Sequence, residues 1–155
     1  MTETTVTGAA MSDTSTRMNS DQIDAFLAEI RHAIAGVIRS DGAPQLSPVW
    51  ILCENGKIYF SILVDSAKFR QLERDPRISL CIDAGHPDAR AVTIQGTAEL
   101  IREKSAWSEE LSWKIDRRYH ETEAEARRYH SETESQGPSA LVVVSPQRIV
   151  GRDFN

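Results

Sequence analysis

The chain has 155 residues, 40% of them hydrophobic and 26% charged, which is the size and make-up of one ordinary domain able to bury its own core. A formal charge of -5 and a pI near 5.4 argue against a nucleic-acid surface, which needs clustered Lys and Arg. Apolar runs fall far short of the ~20 residues that cross a bilayer, so neither nucleic acid nor membrane is an expected partner.

Residues 1-18, with "MTETTVTGAAMSDTSTR", read as a flexible tail rich in Thr and Ser. No signal-peptide stretch is present there, so a cytoplasmic location is expected, with Met11 an alternative native start to Met1. Residues 19-155 then form a single domain. Asn19 or Ser20 is a plausible N-cap, and Ile23, Phe26, Leu27 and Ile30 recur at helical spacing. Two strand-like runs, "HAIAGVIRS" and "APQLSPVWILCE", are joined by Asp41-Gly42, and "KIYFSILV" follows Asn55-Gly56. Such pairs suit tight hairpins because both central residues can take positive φ, so three strands in a meander are predicted.

A short helix, "AKFRQLERD", stops at Pro76 and is followed by the strands "RISLCIDA" and "AVTIQGTAELI". Residues 102-134 read as one long helical insertion with Trp107, Leu111, Ile115 and Tyr119 at every fourth position. Gly137-Pro138 ends it, and "ALVVVSPQRIV" supplies a sixth strand. Six strands of this size must close on themselves or be covered, which suggests a small barrel.

Chemistry-bearing residues are sparse. Cys53 and Cys81 fall in strand-like runs without a CxxC or Cys/His cluster and read as small reduced core residues. In "RRYHETEAEARRYHSETES" the two RRYH copies lie ten residues apart, on different faces of a single helix, so His120 and His130 form no i, i+4 metal pair. A solvated, salt-bridged face is expected there, and His32 and His86 stand alone. No serine-nucleophile elbow, HExxH, Walker loop or GxGxxG occurs.

The stretch "VDSAKFRQLERDPRISL" is different, because Ser66, Lys68 and Arg70 crowd the start of a helix whose N-terminus is already partly positive. Free N–H groups, a hydroxyl and an ammonium make a ready phosphate site. The competing reading pairs Lys68 and Arg70 with Glu73 or Asp75 on an ordinary surface helix.

"SDGAPQLSPVWILCENGKIYFSI", "DSAKFRQLERDPRISLCID", "AVTIQGTAELI" and "QRIVGRDF", taken in that order over about residues 20-154, resemble the flavin/deazaflavin oxidoreductases. Within that superfamily of pyridoxamine 5'-phosphate oxidase-like split β-barrels, the chain is similar to the coenzyme F420-dependent branch of actinobacteria. The resemblance implies a six-stranded, FMN-binding type of split barrel, mainly β with helices, and a homodimer with cofactor sites at its interface. It further implies that Ser66 and Lys68 grip the cofactor phosphate, with Arg70 and Gln71 close by. Ser47, Pro48, Val49 and Trp50 match the strand that lines the deazaflavin ring, and Ser61 lies on the neighbouring strand.

Two departures from the family stand out. Some relatives have a basic residue in place of Ser66. Many have an aromatic one in place of Arg152, which here either holds the cofactor's acidic tail or is exposed. The activity implied is hydride transfer from C5 of reduced coenzyme F420 to an electron-poor small molecule such as an enone, quinone or tetrapyrrole. Alternatives are an FMN-dependent oxidase or flavin reductase, and a non-catalytic protein that binds a cofactor or haem. No proton donor identifies itself, Tyr119 being only a possible one, and the long helix is the expected seat of substrate selectivity.

Overall fold

Along Arg77–Asp83 apolar and polar residues alternate strictly, so Ile78, Leu80 and Ile82 are buried while Ser79, Cys81 and Asp83 face outward. The same rule builds most of the molecule, which the computed structural model describes over residues 16-155. In chain order the elements are α1 (Ser20–Ala28), β1 (His32–Ile38), β2 (Pro44–Trp50), β3 (Leu52–Glu54), β4 (Lys57–Leu63) and α2 (Ala67–Arg74). Then follow β5 (Arg77–Asp83), β6 (Arg90–Ile101), α3 (Ala106–Arg118), α4 (Glu123–Glu134) and β7 (Ser139–Asp153). The predicted tail falls mostly on residues outside those described, as does Met11; at its end, Met18 is buried in the core and Arg17 bridges Arg152.

All strand pairs are antiparallel, in the order β2-β1-β5-β6-β7-β4-β3, which is the curled sheet of a split barrel. Seven strands form where six are expected, because the run after Ala43 breaks at Ile51. Trp50 pairs with His32 of β1, whereas Leu52 pairs with Tyr59 of β4. One continuous run of sequence thus supplies both edges of the sheet, and the barrel closes through the chain itself at Ile51. Edge strand β2 carries Pro44 and Pro48, which an edge tolerates because one side of its backbone has no ladder to complete.

Both turn predictions hold in position, but with different geometry. Asn55 and Gly56 have φ of 53° and 73°, as a two-residue hairpin requires. At the first turn only Gly42 is positive, at 86°, and the Arg39 carbonyl accepts from Gly42 N–H, which makes a longer loop with a single left-handed residue. Gly96 sits at a register shift between β6 and β7, where an added Cβ would lie 2.2 Å from the Ser145 carbonyl oxygen. A closer backbone approach than any side chain allows explains that glycine.

The barrel interior is filled from every strand, with Phe26 and Phe60 its largest fully buried side chains. β4 and β7 are buried on both faces, since Tyr59, Leu141 and Val143 point outward into a second cluster beneath Leu111 and Ile115 of α3. The single long helix expected over 102-134 is instead two helices that pack on each other. Tyr119 caps the first, and Thr122 starts the second by accepting from Glu125 N–H at 3.2 Å. Cys81 is exposed on β5 rather than in the core, whereas Cys53 packs against it and burial raises its thiol pKa to about 11.

Candidate functional site

Between the outer face of the strands and the α3–α4 pair lies a cavity of about 440 Å³. Pro48, Trp50, Ser61 and Leu141 contribute to its strand wall, and Ser112, Asp116, Tyr129 and His130 to its helical roof. Outward-pointing positions of β2 and β4 reach it because their inward neighbours fill the barrel.

Of the ten residues singled out from the sequence, Pro48, Val49, Trp50, Ser61 and Lys68 line this cavity, and Ser47, Ser66, Arg70, Gln71 and Arg152 do not. The Ser66 hydroxyl caps α2, accepting from Phe69 N–H at 3.1 Å. Arg70 donates to the Asp65 carbonyl at 2.8 Å, and Gln71 accepts from Arg74. Arg152 lies toward the far end of β7, opposite Ala91 and bridged to Arg17. The Ser47 hydroxyl oxygen is buried on the inward side of β2 and has no hydrogen-bond partner among the described residues.

Lys68 is the informative member. Burial lowers its pKa, and among the described residues it has neither an ion pair nor a hydrogen bond. The pairing with Glu73 or Asp75 that would make α2 an ordinary surface helix does not form; Asp75 instead holds Arg77 at 2.7 Å. A half-buried, unpaired ammonium facing a cavity is offset best by an anion entering it. Arg102 and Lys104, not anticipated from the sequence, line the same cavity, and the Arg102 guanidinium lies 5.4 Å from the centre of the Phe69 ring. Their signal was the basic pair in "IREK" after the fifth predicted strand.

Around the two RRYH copies the rings are only partly solvated: Tyr119, His120 and His130 are partly buried, whereas Tyr129 is exposed. Trp50 stacks on Tyr119 at 4.9 Å with planes 5° apart, Tyr129 leans on it at 4.9 Å, and His120 meets it edge-on. Trp50 Nε1–H donates to His32 Nε2 at 3.0 Å, so His32 is the neutral tautomer with its proton on Nδ1. Tyr119 donates its hydroxyl proton to the Arg31 carbonyl at 2.6 Å and accepts from Ile51 N–H at 3.0 Å. That hydroxyl satisfies the backbone where the strand run changes edges and has no proton left for a substrate. Near it, Arg118 donates to the carbonyls of Leu27, Ala28 and Glu29, tying α3 to the end of α1.

Asp116 and His130 meet across the two helices, with Oδ2 and Nδ1 2.6 Å apart. Burial raises the Asp116 pKa, opposed by the hydrogen bond from His130 and by the charges of His130 and His120. The two RRYH copies therefore converge from facing helices, an arrangement that one helix excludes. Among the described residues no cluster of three or more potential metal ligands occurs, and no helix is long and apolar enough to cross a membrane.

Known structures share this architecture. A conserved hypothetical protein of Mycobacterium tuberculosis is 24% identical with a TM-score of 0.73, the match covering 89% of this chain and 86% of that one. An F420 reductase is 17% identical at TM-score 0.62, over 81% and 94% of the two chains. A FAD-binding protein of Mesorhizobium loti is 14% identical at 0.69, over 90% and 97%. At these identities the likeness concerns the fold. Residues 20-152 match the family model described as pyridoxamine 5'-phosphate oxidase, and the chain belongs to that family.

Proposed function

We propose that the chain is a reductase that binds coenzyme F420 in the cavity and reduces an electron-poor small molecule such as an enone, quinone or tetrapyrrole. The observation that carries this reading is Lys68, a half-buried cation without a partner among the described residues, facing a space walled by strand and aromatic side chains. Such a space suits a flat ring, and its cation suits a phosphate. When bound, the cofactor would supply the hydride.

The chain's own part is to bind and orient. Lys68 would hold the phosphate, the helix start behind it adding its partial positive charge. Pro48, Val49 and Trp50 would flank the ring, with Ser61 at its edge. Arg102, with Lys104 shared with Glu134 at 3.8 Å, would suit the further acidic tail that the deazaflavin carries and FMN does not. Arg70 and Gln71 would act from behind Lys68 by holding α2 in place. Arg152 would reach a cofactor only in a larger assembly, and Ser47, buried on the inward side of β2, would not line the ring.

Such an assembly is part of the proposal. Pro48, Ile34, Cys81, Thr93 and Val150 form a row across the outer face of the sheet, without a charged residue, and exposed Leu46 lies beside it. A second copy covering that face would make the homodimer, and light scattering of a monomer at micromolar concentration would refute it.

The decisive experiment titrates the protein with coenzyme F420, FMN and haem, following tryptophan fluorescence, which Trp50 in the cavity wall should report. The deazaflavin is expected to bind tightest. Lys68→Ala should weaken it about tenfold or more, a charge-assisted hydrogen bond being worth ~1.5 to 3 kcal/mol. Preference for FMN would move the assignment to a flavin enzyme, preference for haem to a binding protein, and unchanged affinity in the variant would remove Lys68 from the phosphate site.

A further inference from the structure

Among the ionisable groups around the cavity, Asp116 and His130 are joined by a short hydrogen bond. Their side chains are 13% and 28% exposed, and both line the cavity. The carboxylate takes Nδ1–H, which turns the ring so that Nε2 points away from Asp116. Among the described residues the carboxylate recorded nearest to Nε2 is that of Glu134, 3.6 Å away and beyond hydrogen-bond length, so Nε2 keeps its bonding capacity. Trp113 stands edge-on to the imidazole at 5.8 Å, with Arg127 over its ring, and fixes the tilt.

A tie between two helices would need neither a ring that lines the cavity nor a desolvated carboxylate. We infer that His130 is the proton donor for the reduction in this cavity and Asp116 its positioning residue. The pair suits a substrate that develops negative charge on oxygen, a conjugated carbonyl or a quinone. This rests on the reading of the cavity as the site where a hydride acceptor is reduced. Addition of hydride, its two electrons given up by the reduced cofactor, to a conjugated carbonyl forms one C–H bond. The C=C π pair shifts to lie between the α-carbon and the carbonyl carbon, and the C=O π pair moves onto oxygen, giving an enolate. The Nε2–H bond of the imidazolium then breaks, its proton forms the O–H bond, and the neutral imidazole regains a proton from water.

The groups that set this acid are all in view. Asp116 on α3 favours the imidazolium, and Glu134 on α4 adds to it while itself held by Lys104 at 3.8 Å. His120, whose Nδ1 meets the Asp116 carbonyl oxygen at 2.6 Å, and the cavity cations Lys68 and Arg102 oppose it, while Glu103 and Glu109 reinforce it. The donor role follows from geometry: the carboxylate accepts Nδ1–H, which leaves Nε2 as the nitrogen that can deliver a proton.

The test needs no bound cofactor. 4-Nitrophenol, whose phenolate mimics the enolate oxygen, is titrated into the cofactor-free protein. The phenolate absorbance and the NMR signals of isotope-labelled histidine nitrogens are followed together. Wild type should bind the phenolate and shift the His130 Nε2 signal. His130→Gln should bind it about tenfold more weakly, and Asp116→Asn should weaken binding as well, though by less. Asparagine can still accept Nδ1–H, so a purely structural tie would survive that change with phenolate binding unmoved. Equal binding by His130→Gln, an unshifted Nε2 signal, absence of probe binding by wild type, or unmoved binding in Asp116→Asn would each overturn the proposal. Coenzyme F420 affinity is measured separately on the wild type, so failure there counts against the proposed function and leaves the imidazole result standing.

Discussion

The two walls of the cavity are held by different means. The strand wall is fixed by backbone ladders, seven paired positions between β1 and β2 and six between β4 and β7, which form whatever the side chains are. The helical roof is fixed by side chains: Tyr119 to Arg31 and Ile51, Arg118 to the end of α1, Asp116 to His130, and an aromatic stack on Trp50. A wall of the first kind rests on many equivalent bonds over a packed core, whereas a roof of the second kind depends on a few atoms.

The largest effect expected is on the strand side, where Phe60→Ala should lower the unfolding free energy by ~3 to 5 kcal/mol through the cavity it leaves in the core. Urea unfolding measures it, and a loss below ~1 kcal/mol would show that the barrel interior can collapse around the gap. Next comes the roof. Tyr119→Phe keeps the stack on Trp50 but strands the Arg31 carbonyl and the Ile51 amide, a loss of ~1 to 3 kcal/mol. Amide exchange at Ile51 should quicken while the β5–β6 amides keep wild-type rates; uniform quickening would mean that roof and barrel open as one unit.

Lys68→Ala makes the opposite contrast, since a half-buried cation without a partner contributes little to the folded chain. Its thermal midpoint should equal or exceed that of wild type, and a fall of several degrees would reveal a structural partner for Lys68. The acid limb should change least. Asp88 is held well below the ordinary carboxylate range by its bonds to Arg90 and Asn155. Its stabilisation is therefore present above the unfolded pKa near ~4 and lost as pH falls toward the lower folded value. Asp88→Asn should flatten that part of the pH-stability curve and leave neutral pH nearly untouched. Thiol labelling in mildly alkaline buffer should leave Cys53 silent, its pKa standing at about 11.

The strand wall was largely readable because alternation with period 2 is a local signal, as "RISLCID" shows, and because Asn55-Gly56 announces its own hairpin. The helix start at Ser66 was readable for the same reason, being a local event. The break at Ile51 was not, since the run stays apolar throughout and only partners elsewhere decide which edge each half joins. Tyr119, 68 positions from Ile51, gives no local hint of that contact. The roof was misread as one helix because residues 119-122 contain neither Gly nor Pro. Thr122 followed three residues later by Glu125 was the available capping signal. Once the helix breaks, the repeated RRYH changes from a surface pattern into two facing sets of rings.

Edge strands are where chains of this kind add further strands and grow into fibres, each exposed row of N–H and C=O groups serving as a template. Here one edge is only the three residues of β3, and the other carries Pro44 and Pro48. Each proline removes a donor from the backbone and resists an incoming strand. Pro48, which lines the cavity, thus has a second duty: it withholds a backbone donor from any strand that would add to that edge.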